Sequence, residues 1–450
     1  MSADRTSSHQ PQSVRKVVVA SLIGTSLEWY DFFLYGSAAA LVFNKLFFPD
    51  ADPLTGTLLA FTTSATGFVA RPIGGIIFGH YGDKLGRKTV LVVTLLVMGI
   101  ATFLIGLLPT YAAIGVAAPI LLVVLRIVQG LGLGGEWGGA VLMSLEHGQP
   151  DRRGWNASWP QVGVPAGNLL AAGVLGIMSA LLSDAAFESW GWRVPFLLSG
   201  ALVVVGLWIR LTIAETPLFQ ELEQEDTKAR APILDVLKVY PRSVLTALGA
   251  RLGVDIAFYT FALFILVYVA EQLDLPRSTA LNAVLVGSAF QLFLIPFFGH
   301  LSDRYGRRPV YLAGALGAAV WVFVFFPLLD TRSAFLIVVA AVGGLLFHAA
   351  MYGPQAAFIS ELFPTRVRYS GASVGYQLAG VLGGALAPII SIALLKRFDS
   401  ALPVSLYVLG GLLITIVSVW LAPETARIDL HEEPTDGRRI VQDPGRLRPT

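Results

Sequence analysis

The sequence predicts an all-α integral membrane protein of twelve transmembrane helices, built as two pseudo-symmetric six-helix bundles. Composition is the first observation behind this. The 450 residues are 55% hydrophobic, only 14% charged, and include 46 glycines, which is a membrane profile. The second is that apolar stretches of about 20 residues, long enough to span a bilayer, recur twelve times. They are continuously apolar, whereas the strands of a membrane β-barrel alternate at period two. The third is an internal repeat. Gly79-His80-Tyr81-Gly82-Asp83-Lys84-Leu85-Gly86-Arg87-Lys88 returns as Gly299-His300-Leu301-Ser302-Asp303-Arg304-Tyr305-Gly306-Arg307-Arg308, each copy between two apolar runs. Its glycines permit a tight turn and close helix approach, so each copy reads as a short charged loop joining two membrane helices.

A polar tail, residues 1–16, opens the chain. It lacks the apolar core and small-residue cleavage site of a signal peptide and reads as cytoplasmic. The first bundle covers 17–213, with apolar spans at 17–43, 58–78, 90–108, 114–145, 158–182 and 194–213. A connection at 214–242 is Glu-rich and then basic, with a short surface helix expected over 232–238. The second bundle covers 243–421, with spans at 244–269, 280–298, 310–328, 334–352, 370–395 and 404–421. The tail at 422–450 is charged and Pro-containing, and from about residue 426 it reads as disordered.

Basic residues set the orientation. Alternate loops hold Lys84, Arg87 and Lys88; Arg152 and Arg153; Lys228, Arg230, Lys238 and Arg242; Arg304, Arg307 and Arg308; and Arg366 and Arg368. The intervening loops are poorer, with Lys45, Arg277, Arg332, Lys396 and Arg397. Both termini are then cytoplasmic. The repeat also extends beyond the decamer. Glu215-Thr216-Pro217 is echoed by Pro423-Glu424-Thr425, and Glu146 with Arg152-Arg153 by Glu361 with Arg366-Val367-Arg368.

Several function classes are excluded. Without cysteine there is no disulfide, thiolate metal site or Cys nucleophile. A net charge of +2 makes no case for nucleic acid. No HExxH is present, so the chain does not read as an enzyme, and no metal or cofactor is expected beyond the proton as coupling ion. Gly130, Gly132 and Gly135 satisfy GxGxxG, but no strand precedes them, and close helix packing is the better account.

Ionisable groups inside the spans are costly and mark partners or wet cavities. Glu28 and Asp31 lie three apart on one helix face, with Tyr35 continuing it. At ~1.5 Å per residue from Val17 they lie roughly 16–21 Å deep. Either both pair with buried arginines, or one exchanges a proton, which two neighbouring buried acids favour. Arg71 suits holding a carboxylate, of Glu28, of Asp31 or of a substrate. Glu136 is a second proton candidate at mid-depth. In the second half Arg251 and Asp255 form an i,i+4 pair that can neutralise itself, with Tyr259 on the same face. His348 and Tyr352 are also i,i+4, and Gln161, Asn168, Gln291 and Gln377 either meet substrate or link helices. His80 and His300 belong to the packing of the repeated loop.

The repeated loop resembles that between the second and third helices of each half of the major facilitator superfamily. Arg126 with Gln129 and Gly130 resembles its fourth-helix motif. Glu28-Trp29-Tyr30-Asp31-Phe32-Phe33, Ala70-Arg71-Pro72-Ile73-Gly74-Gly75, Gly134-Gly135-Glu136-Trp137 and Trp190-Gly191-Trp192-Arg193-Val194-Pro195-Phe196 resemble one branch, the metabolite–proton symporters, over residues 15–425. That branch includes carriers of α-ketoglutarate, citrate and shikimate, and of proline and betaine. Gly163-Val164-Pro165-Ala166-Gly167 matches the fifth-helix motif of drug–proton antiporters only loosely, and the tail lacks the heptads of osmosensing carriers.

The resemblance implies the major facilitator fold, with helices 1, 4, 7 and 10 around a central cavity in a bacterial-type inner membrane. It implies a monomeric secondary active transporter that takes up a small organic solute with protons by alternating access. A carboxylate metabolite leads; a proline- or betaine-type zwitterion, or a sugar-type facilitator, are the alternatives. Asp31, Glu136 and Glu28 are then proton-coupling candidates, with Asp31 first. Arg71, Tyr35, Arg126, Gln161, Tyr259 and His348 are substrate candidates, and Arg251 with Asp255 a structural or coupling pair. Gly79, Asp83, Gly86, Arg87, Asp303, Gly306 and Arg307 form the cytoplasmic gate.

Overall fold

The computed structural model describes residues 14–50, 53–224, 232–428 and 430. Lys228, Arg230, the first 13 residues and the tail after residue 430 lie outside the described residues. Twelve long helices carry the chain. The first six are α1 (Val14–Ala38), α2 (Pro53–Leu85), α3 (Arg87–Leu107), α4 (Ala117–Glu146), α5 (Arg153–Leu181) and α6 (Arg193–Leu211). The second six are α7 (Pro241–Tyr259), α8 (Arg277–Tyr305), α9 (Arg307–Asp330), α10 (Ala334–Glu361), α11 (Arg368–Ala379) and α12 (Leu402–Leu421). Eleven of them are long and apolar enough to cross a membrane among the described residues; α2, with 33 residues, is the twelfth. In hydrocarbon each backbone polar group must be satisfied within its own segment, and a helix does that. Wider π turns at Thr260–Phe264 and Gly380–Ala385 continue α7 and α11.

The packing repeats with the sequence. In the first bundle α1 lies on α5, α2 on α4, and α3 on α4 and α6; in the second α7 lies on α11, α8 on α10, and α9 on α10 and α12. Across the interface α2 meets α11 and α8 meets α5. The connection between the bundles carries helices at Pro217–Gln224 and Pro232–Val239, the second where a surface helix was expected.

The repeated decamer is not a loop. α2 continues through it to Leu85 and α3 begins at Arg87, so Gly86 alone makes the turn; Gly306 does the same between α8 and α9. Their φ values of 104° and 101° lie where only glycine sits without strain. Polar residues that resemble a loop in sequence are here the last turns of helices. Gly79 and Gly82 serve close approach instead: a Cβ on Gly79 would stand 3.0 Å from the Ser370 Cα of α11.

Each repeated aspartate caps a helix of the opposite bundle. Asp83 accepts from the backbone N–H groups of Tyr369 (3.2 Å) and Ser370 (2.9 Å) at the start of α11. Asp303 accepts from those of Gly154 (2.7 Å) and Trp155 (2.8 Å) at the start of α5. The first N–H groups of a helix have no partner of their own and carry its positive dipole end, so a carboxylate suits them. Arg307 meets both Asp303 (2.6 Å) and Glu361 (3.1 Å). Glu146 holds Arg368 across the interface at 3.1 Å, with Arg87 at 3.6 Å. Glu215 and Glu424 close the motif by capping α3 at Lys88 N–H (3.0 Å) and α9 at Arg307 N–H (2.8 Å).

Loss of such a cap costs about 0.5–2 kcal/mol. Asp83→Ala and Asp303→Ala should therefore each lower the thermal midpoint of the purified protein in detergent. Unchanged melting in both would mean that these carboxylates do not hold the bundles together.

Candidate functional site

The site begins with two helices that touch backbone to backbone. A Cβ on Gly130 would lie 2.2 Å from the Gly67 carbonyl oxygen, and one on Gly134 would lie 2.1 Å from that of Arg71. The glycine run of α4 is thus a packing surface for α2, as its membrane setting suggested. The contact brings Arg71 of α2 and Arg126 of α4 to one place.

That place is a small buried cavity lined by Glu28, Asp31, Phe32, Gly67, Arg71, Met98, Arg126, Gln129, Gly130 and Leu133. Among the described residues no carboxylate forms an ion pair with Arg71 or Arg126. Their guanidiniums rest on aromatic faces instead. Arg71 lies 4.1 Å from the Phe68 ring centre, 4.8 Å from Phe32 and 5.7 Å from Trp29. Arg126 lies 4.1 Å from the ring of Tyr35 and donates to Gln129 Oε1 at 3.0 Å. The Nε atoms of both arginines, and Oε2 of Glu28, are buried without a hydrogen-bond partner among the described residues. Buried polar atoms are rarely left so. The role of Arg71's structural partner that the sequence offered Glu28 is therefore not filled.

Asp31 is held by hydroxyls. Thr102 Oγ1 donates to Oδ2 at 2.8 Å and Ser199 Oγ to Oδ1 at 2.6 Å. Gln129 Nε2 donates to Thr102 Oγ1 at 2.6 Å, so a chain of hydrogen bonds links Arg126 to Asp31. The Trp190–Phe196 motif positions α6 for this. Trp192 packs against Phe43 and Phe196, Arg193 donates to the carbonyls of Gly106 (2.9 Å) and Leu108 (2.7 Å), and the Tyr30 hydroxyl reaches the Pro195 carbonyl at 2.9 Å.

The other candidates divide. Tyr259 faces Arg71 from the second bundle, its ring 6.1 Å from that of Phe68. Tyr35 lies behind Arg126, its hydroxyl on that of Thr63. Arg251 Nε and Asp255 Oδ2 pair at 2.7 Å, as the spacing indicated. Glu136 is held in an ion pair by Arg210 and accepts from Thr94 Oγ1 at 2.8 Å. Gln161 and His348 are not on the cavity: Gln161 accepts from Trp137 Nε1 (2.7 Å), and His348 Nδ1 meets Gln291 Nε2 (2.9 Å). Arg210, Thr102, Ser199 and Phe68 went unnoticed in the sequence. Arg210 alone carried a signal, as a cation within an apolar span.

Toward the Asp83 end a stack joins the bundles. Trp137 lies on Tyr376 with centroids 3.5 Å apart and planes at 11°, and Arg251 covers the other face of this pair at 3.0 Å from the Tyr376 ring centre. Gln377 Nε2 donates to the Gly134 carbonyl at 2.9 Å and the Tyr369 hydroxyl to that of Gly135 at 2.6 Å.

Comparison with known proteins places this geometry. A family model described as sugar (and other) transporter matches residues 16–241, and one described as Major Facilitator Superfamily matches 247–445. The shikimate transporter of Escherichia coli K12 is 42% identical over 417 residues, covering 92% of this chain and 95% of that one. The chain belongs to the major facilitator superfamily. Other relatives in the superfamily are the inner membrane metabolite transport protein YhjE of E. coli K12 (40% identical, covering 92% and 95%) and that organism's proline/betaine transporter (33%, covering 92% and 84%). Among solved structures the proton:xylose symporter XylE shares the fold, with a TM-score of 0.73 at 17% identity over 93% of this chain and 98% of that one. This major facilitator protein is thus a multi-pass membrane transporter of small solutes and not an enzyme.

The α2–α4 contact that builds the cavity can be tested alone. Gly134→Ala should lower the thermal midpoint, because its Cβ would meet the Arg71 backbone, whereas Gly173→Ala has open space around it and should not. Equal midpoints for the two variants would mean that the helices separate at no cost.

Proposed function

We propose that this protein takes up a carboxylate-bearing metabolite together with protons, by alternating access, across a bacterial-type inner membrane. In this reading residues 17–213 and 243–421 are the moving bundles, both termini are cytoplasmic, and the transporter works as a monomer. One observation carries the substrate class. Among the described residues Arg71 and Arg126 face a cavity with no acid paired to either, and the Nε atom of each lacks a partner. Desolvated guanidiniums in a membrane interior call for an anion, and their planar forks match a carboxylate. Shikimate, the solute named for a relative, bears one. A betaine-type zwitterion fits less well, because the ring faces of Trp29, Phe32 and Phe68 that would hold its quaternary ammonium are occupied by Arg71. A sugar would leave both charges uncompensated.

Asp31 is the first choice for the proton. It lines the same cavity and is held by two hydroxyls rather than an arginine, so it gains and loses a proton without breaking an ion pair. Asp83, Arg87, Asp303 and Arg307, with the turns at Gly86 and Gly306, form the gate that must open for release.

Uptake into proteoliposomes under an imposed pH gradient, with shikimate, α-ketoglutarate, citrate, proline, betaine and xylose as the panel, tests the reading. Carboxylates should accumulate and a protonophore should abolish it; accumulation of xylose alone would overturn the substrate class. Arg71→Lys should weaken affinity by at least about tenfold, which is about 1.4 kcal/mol, since a point charge replaces a fork. An unchanged affinity would make Arg71 a packing residue. Asp31→Asn should abolish pH-driven accumulation yet keep counterflow, which needs no net proton movement. Unchanged accumulation would take Asp31 out of the proton's path.

A further inference from the structure

We propose that the proton crosses to the Asp83 end through the first bundle itself, by way of Glu28, Glu136 and Arg210, while the solute passes between the bundles. This rests on the proton-symport reading above and adds a route and a switch to it.

Glu28 lines the cavity of Arg71 and Arg126, is 3% exposed, and its Oε2 has no partner among the described residues. The charged groups that act on it are Glu136, Arg210, Arg71 and Asp31. Arg210 reaches this cluster from α6 across α1 at Gly24, one helical turn before Glu28. A Cβ at Gly24 would stand 2.7 Å from its Nη2, so only glycine lets the guanidinium through undisturbed. There Arg210 pairs with Glu136 and also donates to the Leu91 carbonyl. On its far side lies a second cavity, lined by Ser21, Lys88, Leu91, Ala140, Arg210 and Ile213. These residues come from the ends of α1, α3, α4 and α6 that carry the repeated turn, and Lys88 follows Gly86 by two positions. Glu28 thus borders one cavity, Arg210 borders the other, and Glu136 lies between them, one turn before Ala140.

Two carboxylates share one guanidinium. An unpaired carboxylate is costly to bury, so in this route the acid that Arg210 does not hold carries a proton. In this structure that acid is Glu28. Transfer is an exchange of places. The Glu28 O–H bond breaks, its proton passes to the Glu136 carboxylate directly or over one water, and Arg210 turns from Glu136 to Glu28. The cluster stays neutral throughout. Glu136 then releases the proton to water in the second cavity as Glu28 takes the next one from the first cavity, which Asp31 also lines, and Arg210 returns. None of these steps needs the interface bonds of Asp83 or Asp303 to break. Proton release and solute release therefore occur at different places.

The double variant Glu136→Gln/Arg210→Gln tests this, because it removes the switch without leaving a lone buried charge. It is compared with wild type in proteoliposomes, using radiolabelled shikimate, α-ketoglutarate and betaine as probes. Accumulation driven by a pH gradient should fall at least about tenfold, while counterflow stays within about threefold. Wild-type accumulation in the double variant would overturn the route and leave proton symport standing. An equal loss of accumulation and counterflow in correctly inserted protein would make the pair a structural one and also overturn the route. A wild-type protein that accumulates none of the three probes under a pH gradient would overturn both proposals.

Discussion

The whole assembly depends on a carboxylate capping a helix that belongs to the other bundle. Asp83 sits at the end of α2 yet satisfies the first N–H groups of α11, and Asp303 at the end of α8 does the same for α5. Helix ends present orphan donors wherever they occur. Here those donors are buried against the opposite bundle, so they cannot be handed to water while the interface is closed. The bundles are therefore closed at this end by bonds that are either fully made or fully lost, which is the property a two-position machine needs. Arg87 and Arg307 sit beside each aspartate and tie it to Glu146 and Glu361, so opening one cap disturbs a whole network.

Charges deeper in the bundles obey a second constraint, since a membrane interior tolerates them only in pairs or at a cavity. Asp255 with Arg251 and Glu136 with Arg210 are paired directly. Arg71, Arg126, Glu28 and Asp31 are separated from one another around the cavity and lean on rings and hydroxyls. Aromatic faces soften the cost of an unpaired guanidinium without supplying the fixed partner a carboxylate would be. Folding alone gives no reason to hold four ionisable groups apart in this way, whereas the proposed site for a charged solute and a proton does.

The fold was legible because the bilayer imposes one period and one length on every span, and the repeat then fixed the topology. What misled was the decamer. Asp83, Lys84 and His80 resemble loop residues by polarity, yet they lie in a helix that runs to the residue before Gly86, where Asp83 bonds across the interface. Glu28, Asp31, Arg71 and Arg126 could be found because an ionisable group stands out against twenty apolar neighbours. Thr102 and Ser199 could not, since hydroxyls are common in membrane helices and bond back to their own carbonyls without any functional role. Gln161 and His348 carried the same kind of signal as the true cavity residues. Only three-dimensional placement shows that they link helices: Gln161 joins Trp137 to the Tyr352 carbonyl, and His348 meets Gln291.

The two bundles share a plan, and the place where they depart from it is informative. Glu28 of α1 and Asp255 of α7 are both buried acids of the first helix of their bundle. One turn before Asp255 α7 has Arg251, which neutralises its acid within the helix. One turn before Glu28 stands Gly24. The missing side chain leaves a gap that Arg210 fills from α6, but the guanidinium that arrives there pairs with Glu136 and not with Glu28. Where α7 has a local i,i+4 pair, α1 meets a cation from another helix. A local pair can only stay closed, whereas in the proposed route Arg210 has two partners and moves between them. The second bundle then has the fixed arrangement, and the first, which also holds the cavity arginines and Asp31, the movable one.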